Sequence, residues 1–458
     1  MTKQSLAGKS VLTTFIHTPK LGELECAKDA LITLDDQGVI QSVVHLSDEG
    51  YPQNLAAARA AESLVEFGQD QYLFPGFVDL HIHAPQWPQL GSALDVPLEV
   101  WLQDHTFPLE AKYENAAFAR EVYADLVTSL LANGTTTAVY FATIHAEATR
   151  ILADTCSAKG QRSFVGKVVM DNVAECPEYY RDKDTETALT ETAEFIEYVQ
   201  TNHSNEDLVK PIITPRFIPS CTDDALRGLG DLVEKTGCHV QTHCSESDWQ
   251  HGYVIERTEK SDANALRDFG LMTRHTVLAH GNFLSDDDMA VVKDAGAGVA
   301  HCPLSNYFFS NAVFPLRRAL EKGVRVGLGT DISGGPSASM LESCRHVVNS
   351  SRLLEEGVRP DLDRSERRTE DSRADFREAL YIATAGGAEV LDLKVGKFEV
   401  GYKFDAILID PFAKNAPIYK DFGLFDLEGI AEKIIMLATR ANIAKTYVGG
   451  KNVSSAQT

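Results

Sequence analysis

Eight short apolar runs, spaced along the middle of the chain and separated by helix-like stretches, restrict this sequence more than any other feature. They are FVDLHIH (77–83), TTTAVYFAT (135–143), SFVGKVVMD (163–171), VKPIITPRFI (209–218), HVQTHCSE (239–246), TVLAHG (276–281), GAGVAHCP (296–303) and VRVGLGTD (324–331). Each is rich in Val, Ile, Thr or other apolar residues and closes on a polar residue or glycine, as buried strands do. Between them, AAFAREVYADLVTSLLANG and TDDALRGLGDLVEKTG read as helices that end on glycine. Eight strand–helix alternations predict an α/β fold, a (β/α)8 TIM-like barrel over residues 76–395, with a last helical region near ADFREALYIATAGGAEVLDL.

The flanks read differently. Residues 1–75 hold alternating runs such as LECAKDALITLDDQGVIQSVVHL, with a hairpin turn at Asp35-Asp36-Gln37-Gly38. The C-terminal region holds FDAILID and IAKTYVGGKNV. These β-rich ends predict one small β-sandwich domain, built from residues 1–75 and 396–458, outside the barrel. The mixed-charge stretch EEGVRPDLDRSERRTEDSR (355–373) is expected as a solvated loop on the rim.

Chemistry in such a barrel sits at the C-terminal ends of the strands. Here those ends carry His81, His83, Arg216, His243, Glu246, His280, His301 and Asp331. Residues i and i+2 of a strand point to one face, so His81 and His83 converge. Three histidines and a carboxylate suit zinc or another borderline first-row ion. His81 and His83 come from the first strand, His243 from the fifth and Asp331 from the eighth. Each has a plainer reading alone: rim packing for a histidine pair, a helix cap for Asp331. Their gathering at one end of successive strands favours the metal.

Glu246, three residues after His243, is placed to take a proton from water and pass it to a leaving group, or else to cap the next helix. His280 would orient that water or stabilise developing oxyanion charge, or simply pack as a buried polar group. Arg216 stands where two-metal enzymes of this architecture usually carry a bridging lysine or glutamate. One metal per chain is therefore expected, with the guanidinium free to recognise an acceptor on the substrate. Cys244 and Cys302 read as packing residues.

Composition narrows the partners. A formal net charge of −23 would repel phosphates, so neither nucleic acid nor an anionic membrane is an expected partner, while a small neutral or cationic molecule meets no barrier. No apolar stretch approaches the roughly 18 to 20 residues of a membrane helix, and the N-terminus lacks the apolar region of a signal peptide. The eight scattered cysteines read as free thiols, so the expected location is cytoplasmic. HExxH, P-loop, GxSxG and GxGxxG motifs are absent, and the HAE at 145–147 has no PCxxC after it.

The residues resemble those of the amidohydrolase superfamily, and within it the guanine deaminases. The likeness runs through PGFVDLHIHAPQ, LGSALDVPLEVWLQDHTFPLE, RFIPSC, QTHCSES, LAHG, HCPLSN and GTDISGGPSASM. The histidine pair and the later His and Asp are shared across the superfamily; HIHAPQ, WLQDHTFPLE and RFIPSC are more particular. Pro336, in SGGPS, departs from the aromatic of many members. The resemblance implies one Zn2+ ion per subunit on His81, His83, His243 and Asp331, and a homodimer. It implies zinc-dependent deamination of guanine at C2 to xanthine and ammonia, with Glu246, Asp331 and His280 catalytic. The substrate would lie against His83, Ala84, Pro85, Gln86, Arg216, Phe217, His243, Glu246 and Asp331. Pro85 would stiffen the turn, Gln86 would donate and accept at a purine edge, Arg216 would meet the ring carbonyl and Phe217 would pack on the purine. Alternatives are a sister hydrolase of another amino-heterocycle (8-oxoguanine, cytosine or a triazine) and a non-catalytic barrel scaffold.

Overall fold

The computed structural model describes residues 5–204, 208–418 and 422–454. Among these residues two sheets carry the fold. The first is a closed parallel barrel of eight strands in chain order: Phe77–His83, Thr135–Phe141, Arg162–Gly166, Val209–Pro215, His239–Cys244, Thr276–His280, Gly298–His301 and Arg325–Leu328. The eighth strand pairs back to the first through Leu328 and Asp79. All eight sequence runs fall on barrel strands. The third run is interrupted at Lys167, whose buried ammonium pairs with Asp182 at 2.6 Å, and the chain resumes as Val168–Val169 beside the fourth strand.

Helices form where the sequence places them, and their caps explain why. Asn115 accepts from the backbone N–H groups of Ala117 and Phe118 to start Ala116–Ala132. Thr222 does the same from Ala225 for Asp223–Thr236, which stops where Gly237 takes a left-handed φ of 66°. The last helical region is two helices, Phe376–Ala383 and Ala385–Val390. Val390, Leu391 and Val395 then pack with Val78, Val139, Phe164, Ile212 and Val277, filling the barrel interior. Val390 lies against Gly298, the first residue of the seventh strand, so this filling sits towards the N-terminal end and leaves the opposite mouth for chemistry.

The two flanks meet in one hydrogen-bonded sheet of eight strands. Ser10–Lys20 pairs with Glu23–Leu34 on one side and with Leu64–Glu66 and Tyr72–Pro75 on the other; Tyr72–Pro75 continues to Ala406–Ile409, Ile443–Val448 and Lys451–Asn452. Side chains from both ends of the chain, among them Val11, Phe15, Ile32, Phe404, Leu408 and Tyr447, fill a common core. The predicted turn is present: Asp35 Oδ1 accepts from the N–H groups of Gln37 and Val39. A single residue, Gly76, separates the last N-terminal strand of this sheet from the first barrel strand. Of the 355–373 stretch, Glu355 and Glu356 close the helix Met340–Glu356 and Glu355 and Ser372 are buried; most of the rest is exposed, with the short helix Arg364–Arg367 inside it. No helix of the described residues is long and apolar enough to cross a membrane.

Candidate active site

Alternation along the first strand brings His81 and His83 to the barrel mouth, their rings 4.9 Å apart. Gly329, just past the eighth strand, makes room for them; a Cβ there would lie 3.0 Å from that of His81 and 2.8 Å from Cys302 Sγ. Asp79, earlier on the first strand, accepts from the backbone N–H groups of His81 and Thr330 and so ties this strand to the segment carrying Asp331. Burial pushes the Asp79 carboxyl up to about 7, against the lowering effect of these bonds.

The imidazoles are arranged for a cation. His243 Nδ1 lies 2.7 Å from the carbonyl oxygen of Arg216, which can only accept, so Nδ1 carries the proton and Nε2 a lone pair. That Nε2 lies 3.0 Å from His83 Nε2. His280 Nδ1 sits 3.0 Å from Asn306 Oδ1, the oxygen end of an amide whose nitrogen donates to Asn282. His280 Nε2 is therefore also a lone pair, 3.6 Å from Glu246 Oε1 and 3.7 Å from Asp331 Oδ2. His81 Nε2 faces Asp331 Oδ1 at 3.2 Å and His83 Nε2 faces the same oxygen at 3.6 Å.

The Nε2 atoms of His81 and His280 have no hydrogen-bond partner though fully buried, a state that costs about 1–3 kcal/mol for each group. Within 4.8 Å of one another lie donor atoms of His81, His83 and His243, of His81, His280 and Asp331, and of His243, Glu246 and His280. Burial holds His81, His83 and His243 well below the ordinary histidine range, so they are neutral and free to ligate. Three neutral imidazoles within reach of one another, with the Asp331 carboxylate against two of them, fit a divalent metal ion. His301, also at a strand end, is buried beside Phe314 and outside these three groups.

Glu246 is not a helix cap; Ser247 fills that place for Asp248–Thr258. Burial, with the Asp331 charge beside it, pushes its carboxyl well above the carboxylate range. Asp331 caps no helix either, since Ser339 starts Met340–Glu356, and burial raises its carboxyl against the opposing pull of His280.

Against this cluster opens a cavity. His83, Gln86, Arg216, Phe217, His243, Glu246 and Asp331 line it, with Leu98, Trp101, Leu102, Phe309 and Gly334. Of the residues expected around a substrate, Ala84 and Pro85 lie buried in the turn behind Gln86 and are not among those lining this cavity. His81 and His280 also sit behind the lining. Three contributions were missed in the sequence. Trp101 and Phe309 roof the cavity with their rings 4.8 Å apart. Asn306 orients His280. Glu110, fully buried, holds both Arg216 and Gln86. Trp101 and Glu110 both belong to the WLQDHTFPLE stretch, which carried the signal without saying what each residue does.

The amidohydrolase family pattern matches residues 72–453. The chain is 38% identical to the guanine deaminase of Homo sapiens over 96% of this chain and 95% of that protein. It is 35% identical to the guanine deaminase of Dictyostelium discoideum over 96% and 97%. Among solved structures, the guanine deaminase of C. acetobutylicum with guanine bound in its active site superimposes with a TM-score of 0.85 at 32% identity, over 97% of this chain and 99% of that one. With this barrel, this histidine cluster and these matches, the chain belongs to the amidohydrolase family.

Proposed function

We propose that the protein is a metal-dependent guanine deaminase, converting guanine and water to xanthine and ammonia. The observation that carries this reading is the juxtaposition of lone-pair Nε2 atoms with a cavity walled by Arg216, Gln86 and Phe217. The full-length likeness to guanine deaminases, one of them with guanine bound, supports the same substrate. His81, His83, His243 and Asp331 would hold one zinc ion, for which this donor set is suited. Zinc there supplies Lewis-acid chemistry and lowers the pKa of water towards about 7.

The chain's own residues do the rest. Phe217 packs on the purine and Arg216 donates to its ring carbonyl. Gln86, which keeps one amide hydrogen and one lone pair beyond its internal bonds, meets a purine edge. Asp331 takes a proton from the attacking water, whose oxygen bonds to C2. Glu246, kept protonated by burial, gives its proton to the ring nitrogen beside C2. His280, its Nε2 lone pair fixed by Asn306, accepts a hydrogen bond from the attacking water. Asp331 returns its proton to the amino group, which leaves as ammonia, while the added hydroxyl gives its proton back to Glu246 and C2 becomes a carbonyl. The role of such an enzyme is purine catabolism.

The test is turnover by metal-replete protein, following xanthine and ammonia, with adenine, cytosine and 8-oxoguanine in parallel. Conversion of guanine alone is expected. Preference for one of the other bases would keep the hydrolytic site and discard these assignments of Gln86 and Arg216.

A further inference from the structure

The side chains that face the substrate are held in place by a residue that does not face it. Glu110 Oε2 accepts from Arg216 Nη1 at 2.6 Å, and its Oε1 accepts from Arg216 Nη2 at 3.2 Å and from Gln86 Nε2 at 2.9 Å. Glu110 and Arg216 are both buried, and Glu110 is not among the residues lining the cavity. On the other side of Gln86, the Ser333 N–H donates to Oε1 at 3.1 Å. Only one orientation of the amide satisfies both neighbours, so Gln86 cannot flip its donor and acceptor. The Phe107 ring, 5.0 Å from the guanidinium carbon, completes the setting of Arg216.

We propose that Glu110 is a positioning and specificity residue: acting through Arg216 and Gln86, it fixes their donors and cancels the guanidinium charge, so that the pocket selects a neutral purine over a purine anion. The proposal rests on the reading of the cavity as a purine site. An unpaired guanidinium in a water-poor cavity would attract an anion strongly. Paired with Glu110, it keeps N–H donors for a neutral carbonyl without offering net charge. Xanthine ionises more readily than guanine, so the same device favours release of product.

The probe is urate, a purine monoanion at neutral pH, titrated by calorimetry into metal-loaded wild type, Glu110→Gln and Glu110→Asp, alongside guanine kinetics and metal content. Glu110→Gln keeps the shape and loses the charge. It is expected to bind urate roughly 10-fold or more tightly than wild type, while guanine kcat/KM falls roughly 10- to 100-fold, mostly through KM, at unchanged metal content. Glu110→Asp keeps the charge and shortens the reach, so it should raise the guanine KM and leave urate affinity as in wild type. Should Glu110→Gln fail to fold, the Glu110→Asp KM decides. Urate binding no tighter in Glu110→Gln, or a guanine KM unchanged in Glu110→Asp, overturns the proposal. Absence of guanine turnover in wild type would instead overturn the reading of the substrate, and the urate comparison would still decide the role of the charge.

Discussion

Two buried arginine–carboxylate pairs stand at opposite ends of the barrel. At the N-terminal end, Arg162, the first residue of the third strand, donates from Nε to Asp405 Oδ2 at 2.9 Å and from Nη2 to Oδ1 at 3.3 Å. Asp405 Oδ1 also accepts from the Gly449 N–H at 2.7 Å, so this pair locks the barrel to the flanking sheet. At the C-terminal end, Arg216 and Glu110 make the same kind of bidentate contact, yet Arg216 opens on a cavity. Around the upper pair lie imidazole nitrogens without partners, and three non-glycine residues in left-handed backbone: Ser245 at φ 47°, His280 at 71° and Asp331 at 51°. Such conformations cost of order 1 kcal/mol or more each. Burial and pairing are common to both ends, so neither marks function. What sets the upper pair apart is the cavity that Arg216 lines together with His83, His243, Glu246 and Asp331.

If that distinction holds, substitutions at the two ends separate catalysis from stability. The largest effect is expected at the mouth. Glu246→Gln should lower guanine turnover by about 10²–10⁴-fold, with metal content and unfolding midpoint unchanged. The sign of the pH dependence follows from the raised Glu246 carboxyl: its proton is present below that raised value and lost as pH rises through it. Wild-type kcat/KM should therefore fall on the alkaline side, and the residual activity of Glu246→Gln should lack that fall. Full turnover in this variant would break the comparison.

At the opposite end, Asp405→Asn removes the charge of the carboxylate that pairs with Arg162 in the interior. It should cost about 3–5 kcal/mol in urea unfolding while kcat/KM per folded chain stays that of wild type. An Asp405→Asn protein of normal stability but low activity would erase the difference between the two pairs. Its effect on catalysis is smaller than that of Glu246→Gln, because no residue touching the substrate moves.

How much could be read in advance follows the range of the interactions. Strand ends such as His83 and His280 were legible because an apolar run of fixed period stops at a polar residue, and that is a local signal. The convergence of His81, His83, His243 and Asp331 followed from barrel geometry, which places all strand ends at one mouth. The break at Lys167 was not legible, since its cause is Asp182, fifteen residues on, drawing the ammonium inward. Glu110 was hidden more deeply. It is one glutamate in a short helix, Phe107–Glu110, and its partner Arg216 lies 106 residues away. Nothing in its neighbours' periodicity says that it is buried.

The central claim is that His81, His83, His243 and Asp331 at the barrel mouth hold one divalent ion on which guanine deamination depends. The most direct measurement is guanine turnover by chelator-stripped protein during stepwise addition of zinc, with bound metal determined at each step. The account predicts negligible turnover without metal, a linear rise, and a plateau at about one ion per chain. Full turnover by metal-free protein, or a site that binds zinc and gains no activity towards guanine, would contradict it.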